Sequence, residues 1–204
     1  MKLYCATGNQ GKLREFRLAG QLLGIEVLPV EGLKDIPAPE ETGATFEENA
    51  RLKAAYYSRF APGLLFADDS GLEVDALDGA PGVYSARYAG LNASDADNNQ
   101  LLLRNLTGMA DRTARFVCAI AVAEADEAKH VFRGTVEGEI LNAPRGPGGF
   151  GYDPLFYYPD FGCSFGEVEG ERKFAVSHRG KALRNMLAWL AGSGQNIANQ
   201  APVL

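Results

Sequence analysis

Two adjacent carboxylates, Asp68 and Asp69, are the side chains of this sequence best placed to do chemistry on a bound ligand. They follow a short apolar run at 64–67 and precede a Ser-Gly pair and a second apolar run at 72–74. Such runs predict two strands separated by a break, so we expect the carboxylates where a buried strand reaches the surface. Neighbouring residues on an extended backbone point to opposite sides, so the two carboxylates should have different roles. A solvated turn is the common alternative for an Asp-Asp pair.

The first segment of the chain has the composition of a phosphate-binding loop. Lys2–Ala6 predicts a strand, and the apolar spacing of 13–23 predicts a helix that Gly24 ends. The connecting residues 7–12, Thr-Gly-Asn-Gln-Gly-Lys, include two glycines that let backbone N–H groups turn toward an anion. The helix N-terminus and Lys12 add positive charge. The spacing differs from that of a Walker A loop, and an ordinary strand–helix turn remains the alternative.

An acidic, proline-rich segment, residues 31–44, supplies further carboxylates. Its composition favours a solvated loop. In the alternative, Glu40 or Glu41 joins the Asp pair around a cation. The residues that follow at 45–48, Thr-Phe-Glu-Glu, fit a capping box and predict a helix that runs to about Phe60.

A glycine-rich loop at 142–154 contains two aromatic residues. Its glycines permit a close approach of the backbone to a ligand. We expect Phe150 and Tyr152 to sandwich a planar ring, and Asp153 to accept a hydrogen bond from that ring. A flexible surface loop, the alternative, explains the glycines but not the aromatic residues.

The last predicted helix begins with basic residues. Ser177 is the expected N-cap, which places His178 and Arg179 in the first turn, at the positive end of the helix dipole. Cations oppose the dipole at this end, and such a local inconsistency often marks a ligand site. Lys173, shortly before the helix, adds a third basic group.

Strands that alternate with helices, followed by a hairpin predicted at 113–124 and 129–140, indicate an α/β fold with a mixed central sheet. With 204 residues the chain is long enough for one large domain or two small lobes. Its apolar runs all fall short of the roughly 20 residues of a membrane span. The net charge of −6 argues against a nucleic-acid surface. Three widely spaced cysteines favour a reducing cytoplasm over disulfides or a zinc site.

Together these segments describe a site for a nucleoside triphosphate and Mg²⁺. Basic residues and N–H donors suit a polyphosphate, carboxylates suit Mg²⁺ shared with the phosphates, and the aromatic loop suits a base. Spacing alone leaves open which bond is cut. A regulator that binds nucleotides without turnover and a phosphate-ester hydrolase remain alternatives. The regulator has no use for three carboxylates, and the ester hydrolase has none for the aromatic loop.

Five motifs of the chain occur in the order found in the inosine triphosphate pyrophosphatase family (Ham1-like, dITP/XTP diphosphatase). They lie at 7–12, 67–72, 79–87, 148–154 and 177–180, and the chain resembles this family from its first strand to its last helix. The resemblance implies a single domain over 1–204, with a mixed central β-sheet flanked by helices and an elongated two-lobed shape with a central cleft. It also implies Mg²⁺-dependent hydrolysis of ITP, dITP and XTP to the monophosphate and pyrophosphate by a homodimer.

The resemblance also implies roles for individual residues. Asp69 matches the catalytic base, and Glu40 and Asp69 match the metal-linked carboxylates, with Glu41 and Asp68 as alternatives. The substrate contacts that it implies are Thr7, Gly8, Asn9, Gln10, Gly11, Lys12, Ser70, Phe150, Gly151, Tyr152, Asp153, Lys173, His178 and Arg179. We assign the choice of base to the turn at 178–179 together with the loop at 150–153. The two aromatic side chains are expected to stack on any purine, so they add affinity but do not discriminate between bases.

Overall fold

A single mixed sheet runs through the part of the protein that the computed structural model describes, residues 1–21 and 24–193. Its strands are β1 (Lys2–Cys5), β2 (Glu26–Pro29), β3 (Leu65–Val74), β4 (Thr113–Glu124), β5 (Glu127–Ile140), β6 (Phe156–Tyr158) and β7 (Cys163–Ser164). Their order across the sheet is β2-β1-β3-β4-β5-β6-β7. β1 pairs in parallel with β2 and β3, and every later pair is antiparallel. The predicted α/β class with a mixed sheet is confirmed.

Helices cover both faces of this sheet. They are α1 (Gln10–Gln21), α2 (Phe46–Ser58), α3 (Asp95–Asn105), α4 (Gly170–Val176) and α5 (His178–Ser193). α1 and α5 bury one face around Phe16 and Phe66, whereas α2 packs Ala50 and Ala54 against the other. Among the described residues, no helix is both long enough and apolar enough to cross a bilayer. The predicted end of α1 near Leu23 lies outside the described residues.

Two helix starts follow the capping residues seen in the sequence. At α2, Thr45 Oγ1 accepts a hydrogen bond from Glu48 N, and the Glu48 carboxylate accepts one from Thr45 N. α5 begins directly after Ser177, whose Oγ accepts from Gly180 N at 3.1 Å. Both caps satisfy backbone N–H groups that have no partner within the helix, so the predicted starts are confirmed.

β3 is one continuous strand of ten residues, so the predicted break at the Ser-Gly pair is wrong. Ser70 and Gly71 pair with Cys118 and Val117 of β4 in an unbroken antiparallel register. Glycine at position 71 serves close packing, because a Cβ there would collide with the side chain of Ser85. β4 supplies pairing partners along the whole strand, and this tertiary context outweighs the local turn preference of Ser-Gly.

The edge of β3 that faces β1 is covered over only two residue pairs. β1 pairs with β3 at Tyr4–Leu65 and Cys5–Phe66. Asp68 lies just beyond these pairs and lines a cavity of about 640 Å³. This carboxylate therefore reaches a cleft at the carboxyl end of β1. Open α/β sheets bind ligands at the carboxyl ends of their parallel strands.

The predicted hairpin is confirmed as β4 and β5, which are joined by Ala125 and Asp126. Both turn residues have positive φ, 49° and 69°, as the tight connection of a twisted hairpin requires. α5 packs closely on this hairpin at Gly134 of β5, where a Cβ would collide with the carbonyl of His178. The hairpin thus sets the position of the first turn of α5.

Candidate active site

Asp68 lies on the face of β3 that α1 and α5 cover, and basic side chains surround it. Lys12 Nζ donates to Asp68 Oδ2 at 2.7 Å, and Arg179 Nε lies 4.0 Å from the same oxygen. Ser70, two residues along this face, donates to it at 3.4 Å. Burial by itself raises the pKa of Asp68, but Lys12 and Arg179 outweigh it and hold the pKa below its ordinary value. The carboxylate is therefore a fixed negative charge.

Asp69 lies on the opposite face of β3, against α2, so the prediction that the two side chains point to opposite sides is confirmed. Lys53 Nζ donates to Asp69 Oδ1 at 2.8 Å, and Asn49 Nδ2 donates to Oδ2 at 3.3 Å. Burial is the largest influence and raises the pKa of Asp69 above its ordinary value, although Lys53 opposes it. A raised pKa makes this carboxylate a better proton acceptor than its neighbour.

Glu41, rather than Glu40, is the acidic-loop residue that the structure brings to Asp69. Glu41 Oε1 accepts a hydrogen bond from Lys53 at 3.1 Å, which links the two carboxylates. Its Oε2 accepts from Arg87 at 3.3 Å. Burial raises the pKa of Glu41, but Lys53 and Arg87 reverse this and lower it. Glu40 is exposed, and its assignment as a metal-linked carboxylate stays a prediction.

The pair formed by Asp69 and Glu41 has the donor chemistry of a Mg²⁺ site that a substrate completes. In the described part of the chain, no group of three or more His, Cys, Asp or Glu side chains converges into a metal site. Mg²⁺ is usually held by one or two carboxylates together with substrate phosphates. The two carboxylates already share Lys53, so a Mg²⁺ ion held by them would need further oxygen ligands such as phosphates.

Sequence reasoning misses Asn49 and Lys53, although a signal for them exists. They stand four residues apart on α2, next to the apolar face formed by Ala50 and Ala54. Residues at this spacing share one side of a helix, so two polar side chains beside a buried stripe indicate an internal polar contact. The packing of α2 against β3 identifies that contact as Asp69.

The phosphate-binding loop is shorter than predicted, since α1 begins at Gln10. The start is set by Asn9, whose Oδ1 accepts from Lys12 N at 3.0 Å and so caps the helix. Thr7 Oγ1 in turn accepts from Asn9 N at 3.2 Å. Gln10 is exposed in the first turn. Four residues of the predicted loop line the cavity: Thr7, Gly8, Asn9 and Lys12.

Of the two aromatic residues in the glycine-rich loop, only Phe150 faces outward. Phe150 is 37% exposed, whereas Tyr152 is 5% exposed and packs with Leu155 in the core. The Tyr152 hydroxyl donates to the Ser85 carbonyl at 2.8 Å, and burial raises its pKa. The predicted sandwich of a planar ring is therefore wrong, because Tyr152 finds an internal acceptor and an internal apolar surface. Phe150 alone remains for stacking.

Asp153 and Lys173 form a buried ion pair next to Phe150. Lys173 lies on α4 and is 4% exposed, and its Nζ donates to Asp153 Oδ2. The same oxygen accepts from Phe150 N at 2.9 Å. Lys173 Nζ also lies 4.8 Å from the centroid of the Phe150 ring, a cation–π distance. Asp153 Oδ2 thus holds its own loop in place, and the hydrogen bond expected between Asp153 and the base stays a prediction.

Arg179 and His178 meet different surroundings in the first turn of α5. Arg179 Nη1 donates to Glu15 Oε2 at 2.6 Å. Burial lowers the pKa of Arg179, but Glu15 and Asp68 raise it above its ordinary value, so these carboxylates balance a cation that opposes the dipole. His178 stacks on Phe116 at 4.9 Å, and burial, followed by Arg179, lowers its pKa well below the ordinary value. His178 is therefore neutral, and its Nδ1 has no hydrogen-bond partner among the described residues.

The first turn of α1 joins the aromatic end of the site to the carboxylate end. A Cβ at Gly11 would lie 3.9 Å from Phe150 Cε1, and the next residue, Lys12, lines the cavity. Arg179 lies 5.5 Å from the centroid of the Phe150 ring and 3.5 Å from Ser70 Oγ. Phe150 thus lies beside the turn of α1 that carries Lys12.

Known proteins share both the sequence and the fold of this chain. A model of the Ham1 family matches residues 3–189. A dITP/XTP pyrophosphatase from Acidobacterium capsulatum is 50% identical over 201 residues, which cover 94% of this chain and 99% of that protein. A protein of the same name from an Exiguobacterium species is 53% identical over 190 residues, 92% of this chain and 96% of that protein. The structure of the Staphylococcus aureus Ham1 protein, 44% identical, superposes with a TM-score of 0.84 over 95% of this chain and 100% of that one. With its sheet, its carboxylate pair and these similarities in agreement, the chain belongs to the Ham1 family.

Proposed function

We propose that this protein hydrolyses the deaminated purine nucleoside triphosphates ITP, dITP and XTP to the monophosphate and pyrophosphate, which removes them from the nucleotide pool. The observation that carries the proposal is the placement of Asp69, a carboxylate with a raised pKa. It is bound to Lys53, which lines the same cavity as the phosphate-binding loop and Lys12. The names of the two relatives support this substrate class.

Asp69 is the general base of the proposed reaction. A water molecule attacks the phosphorus next to the ribose, and Asp69 accepts the proton of that water while the bond to pyrophosphate breaks. Lys53 binds one oxygen of this carboxylate and Asn49 the other, so its direction is set from α2. Lys53 also favours the ionised form, which is the form that accepts a proton.

Basic groups stabilise the charge that develops on the phosphate oxygens and on the leaving pyrophosphate. Lys12 lies at the N-terminal turn of α1, where the helix dipole and its N–H groups favour an anion. Asp68 binds Lys12 and so orients it toward the cavity. Mg²⁺, which we assign to Asp69 and Glu41 together with the substrate phosphates, supplies further positive charge when bound.

Recognition of the base is assigned to Phe150 and the first turn of α5. Phe150 stacks on any purine and so contributes affinity without choice. Discrimination between bases requires a hydrogen-bond donor directed at the six-position oxygen. Adenine has an amino group there, which is itself a donor, so the two donors face each other without forming a hydrogen bond. Such a mismatch discriminates by factors up to roughly 10⁴–10⁵. His178 Nδ1 and Arg179 Nε are both buried nitrogen atoms without a hydrogen-bond partner among the described residues, so we assign this donor to the first turn of α5 without choosing between the two residues.

The proposal extends to a cytoplasmic homodimer, as the family resemblance implies. Cys5, Cys118 and Cys163 carry free thiols, in keeping with a reducing compartment. Light scattering on the purified protein measures the oligomeric state directly. A molar mass of twice 21.9 kDa is expected, and a mass of 21.9 kDa would contradict the dimer.

Pyrophosphate release from a panel of compounds tests the proposed function. The purified protein is incubated with Mg²⁺ and with ITP, dITP, XTP, ATP, GTP or p-nitrophenyl phosphate, and pyrophosphate and orthophosphate are measured separately. We expect pyrophosphate from the first three, at rates at least roughly tenfold above those for ATP and GTP. Omission of Mg²⁺ should abolish this release.

Two results would overturn the proposal. Nucleotide binding in a calorimeter without any turnover would identify a regulator. Orthophosphate from p-nitrophenyl phosphate, with no pyrophosphate from the triphosphates, would identify a phosphate-ester hydrolase.

A further inference from the structure

Phe150 is an exposed aromatic residue on a backbone that is held from several directions. Its N–H donates to Asp153 Oδ2 at 2.9 Å, and its carbonyl accepts from Asp153 N at 3.2 Å. Gly149, immediately before it, has φ 78°, and a Cβ there would collide with Asp153. The turn around Phe150 is therefore built to one shape, although the ring itself faces outward.

A second set of bonds to this turn comes from α3. Gly151, immediately after Phe150, donates from its N–H to Asp95 Oδ2 at 2.6 Å. Its carbonyl accepts from Asn99 Nδ2 at 2.9 Å. Asp95 and Asn99 are four residues apart and so lie on one side of α3. One helix face thus binds both polar groups of a single loop residue.

The beginning of α3 is itself firmly anchored. A capping box joins Ser94 and Asp97, which fixes the first turn. Asn98 Oδ1 accepts from Ala89 N at 2.8 Å, which ties the turn to the preceding segment. Further along, Leu102 is fully buried in the core. The hydrogen bond from Gly151 to Asp95 therefore joins the loop to a helix turn whose own position is fixed.

Asn99 has a feature that its contribution to stability does not explain. The residue is 9% exposed, and its Oδ1 has no hydrogen-bond partner among the described residues. A buried acceptor without a partner destabilises the folded state. The side-chain hydrogen bond that Asn99 makes among the described residues is the one to Gly151.

We propose that Asp95 and Asn99 form a clamp of positioning residues that holds the ring of Phe150 in place for the purine base. This inference rests on the proposed function, because it concerns the same site. The clamp contacts neither the phosphates nor the carboxylate pair. A stacking contact to the base is made equally in the ground state and the transition state, so the clamp acts on KM and leaves kcat unchanged.

Alanine variants of the clamp test this role. Asp95→Ala and Asn99→Ala should each raise KM for ITP about three- to tenfold, with kcat within about twofold of wild type. Asp95→Asn keeps an acceptor oxygen and should restore most of the lost affinity. Gln100→Ala, on the same helix but at an exposed position, is the matched control and should leave both constants unchanged. The melting temperature of Asn99→Ala should stay at the wild-type value, since the substitution also removes an unpaired buried acceptor.

A double-mutant cycle with Phe150→Ala separates positioning from a general loss of structure. In that background, Asp95→Ala and Asn99→Ala should have no further effect on KM, because the ring that they position is gone. Inhibition by inorganic tripolyphosphate, which has no base, should be unchanged in every clamp variant. An equal loss with and without the Phe150 ring, or a fall in kcat at unchanged KM, would overturn the clamp.

The clamp and the proposed function fail in distinguishable ways. Wild-type release of pyrophosphate from ITP tests the function, whereas the clamp is tested by the ratio of KM between each variant and wild type. Calorimetric titration with inosine monophosphate gives the corresponding ratio of dissociation constants without turnover. Equal affinity of wild type and clamp variants for this nucleotide would reject the clamp whatever reaction the protein catalyses.

Discussion

Asp68 and Asp69 are consecutive residues of one strand, yet the two faces of the sheet give them opposite electrostatic settings. On the face of α1 and α5, Asp68 meets Lys12 and Arg179, and its pKa falls below the ordinary value. On the face of α2, Asp69 meets Lys53, but burial prevails and its pKa rises. The difference comes from the number and arrangement of cations on each face, since the two side chains are chemically identical.

This comparison shows how one sheet can divide two tasks between adjacent carboxylates. A carboxylate held ionised by two cations is suited to orienting basic groups, and it has little tendency to accept a proton. A carboxylate with a raised pKa is better suited to accept a proton. In the proposed reaction, Asp68 would therefore hold basic groups in place, and Asp69 would accept the proton. Removing each in turn should have different consequences.

Asp69→Asn should produce the largest effect on catalysis. The amide keeps the shape of the side chain but cannot accept the proton of water, so kcat should fall by roughly 10²–10⁴. Folding and nucleotide binding should be largely retained. The measurement is pyrophosphate release at saturating ITP, with calorimetric titration as the control for binding. A kcat near the wild-type value would move the role of base to the metal or to Asp68.

Asp68→Asn should act mainly on stability. The substitution removes the buried carboxylate that faces half-buried Lys12 and buried Arg179, although Arg179 keeps its bond to Glu15. Loss of one partner from a buried ion pair costs about 3 kcal/mol of unfolding free energy. Urea denaturation of both asparagine variants measures this difference. The free energy of unfolding should fall clearly less in Asp69→Asn than in Asp68→Asn. Equal losses in the two variants would show that the faces are not electrostatically distinct.

Lys53→Met should give the smallest effect, a shift in the pH dependence. Lys53 is the largest influence that lowers the pKa of Asp69, so its removal leaves burial less opposed and raises that pKa further. The base works in its ionised form, which is lost as pH falls through its pKa. The acidic limb of the kcat/KM profile should therefore move to higher pH. A profile that stays in place, or moves to lower pH, would separate that limb from Asp69.

The site could be predicted from the sequence as a set of residues, but the partners of those residues could not. Lys12, Asp69 and Arg179 were all expected at the site from their motifs. Nothing in the local sequence pairs Lys12 with Asp68, or Arg179 with Glu15, since each pair joins distant segments. These pairings set the charges described above. The different electrostatic settings of the two faces therefore depend on the tertiary structure.

Local patterns determined where α2 and α5 begin and which neighbouring side chains point apart. The caps at Thr45 and Ser177 involve groups within a single turn, so short stretches of sequence contain the whole interaction. The separation of Asp68 from Asp69 requires only an extended backbone. Each of these features was predicted correctly, because no distant segment is needed to produce it.

The tertiary structure decided the features that depend on distant partners. β4 keeps Ser70 and Gly71 in a continuous strand despite their turn preference. The Ser85 carbonyl and the core draw Tyr152 inward, away from any ligand. Lys53 binds Glu41, whereas Glu40 is exposed. In each case the stabilising contact joins residues that are far apart along the chain or lie on different elements, so its free energy is absent from any local pattern and appears only when the sheet and helices assemble.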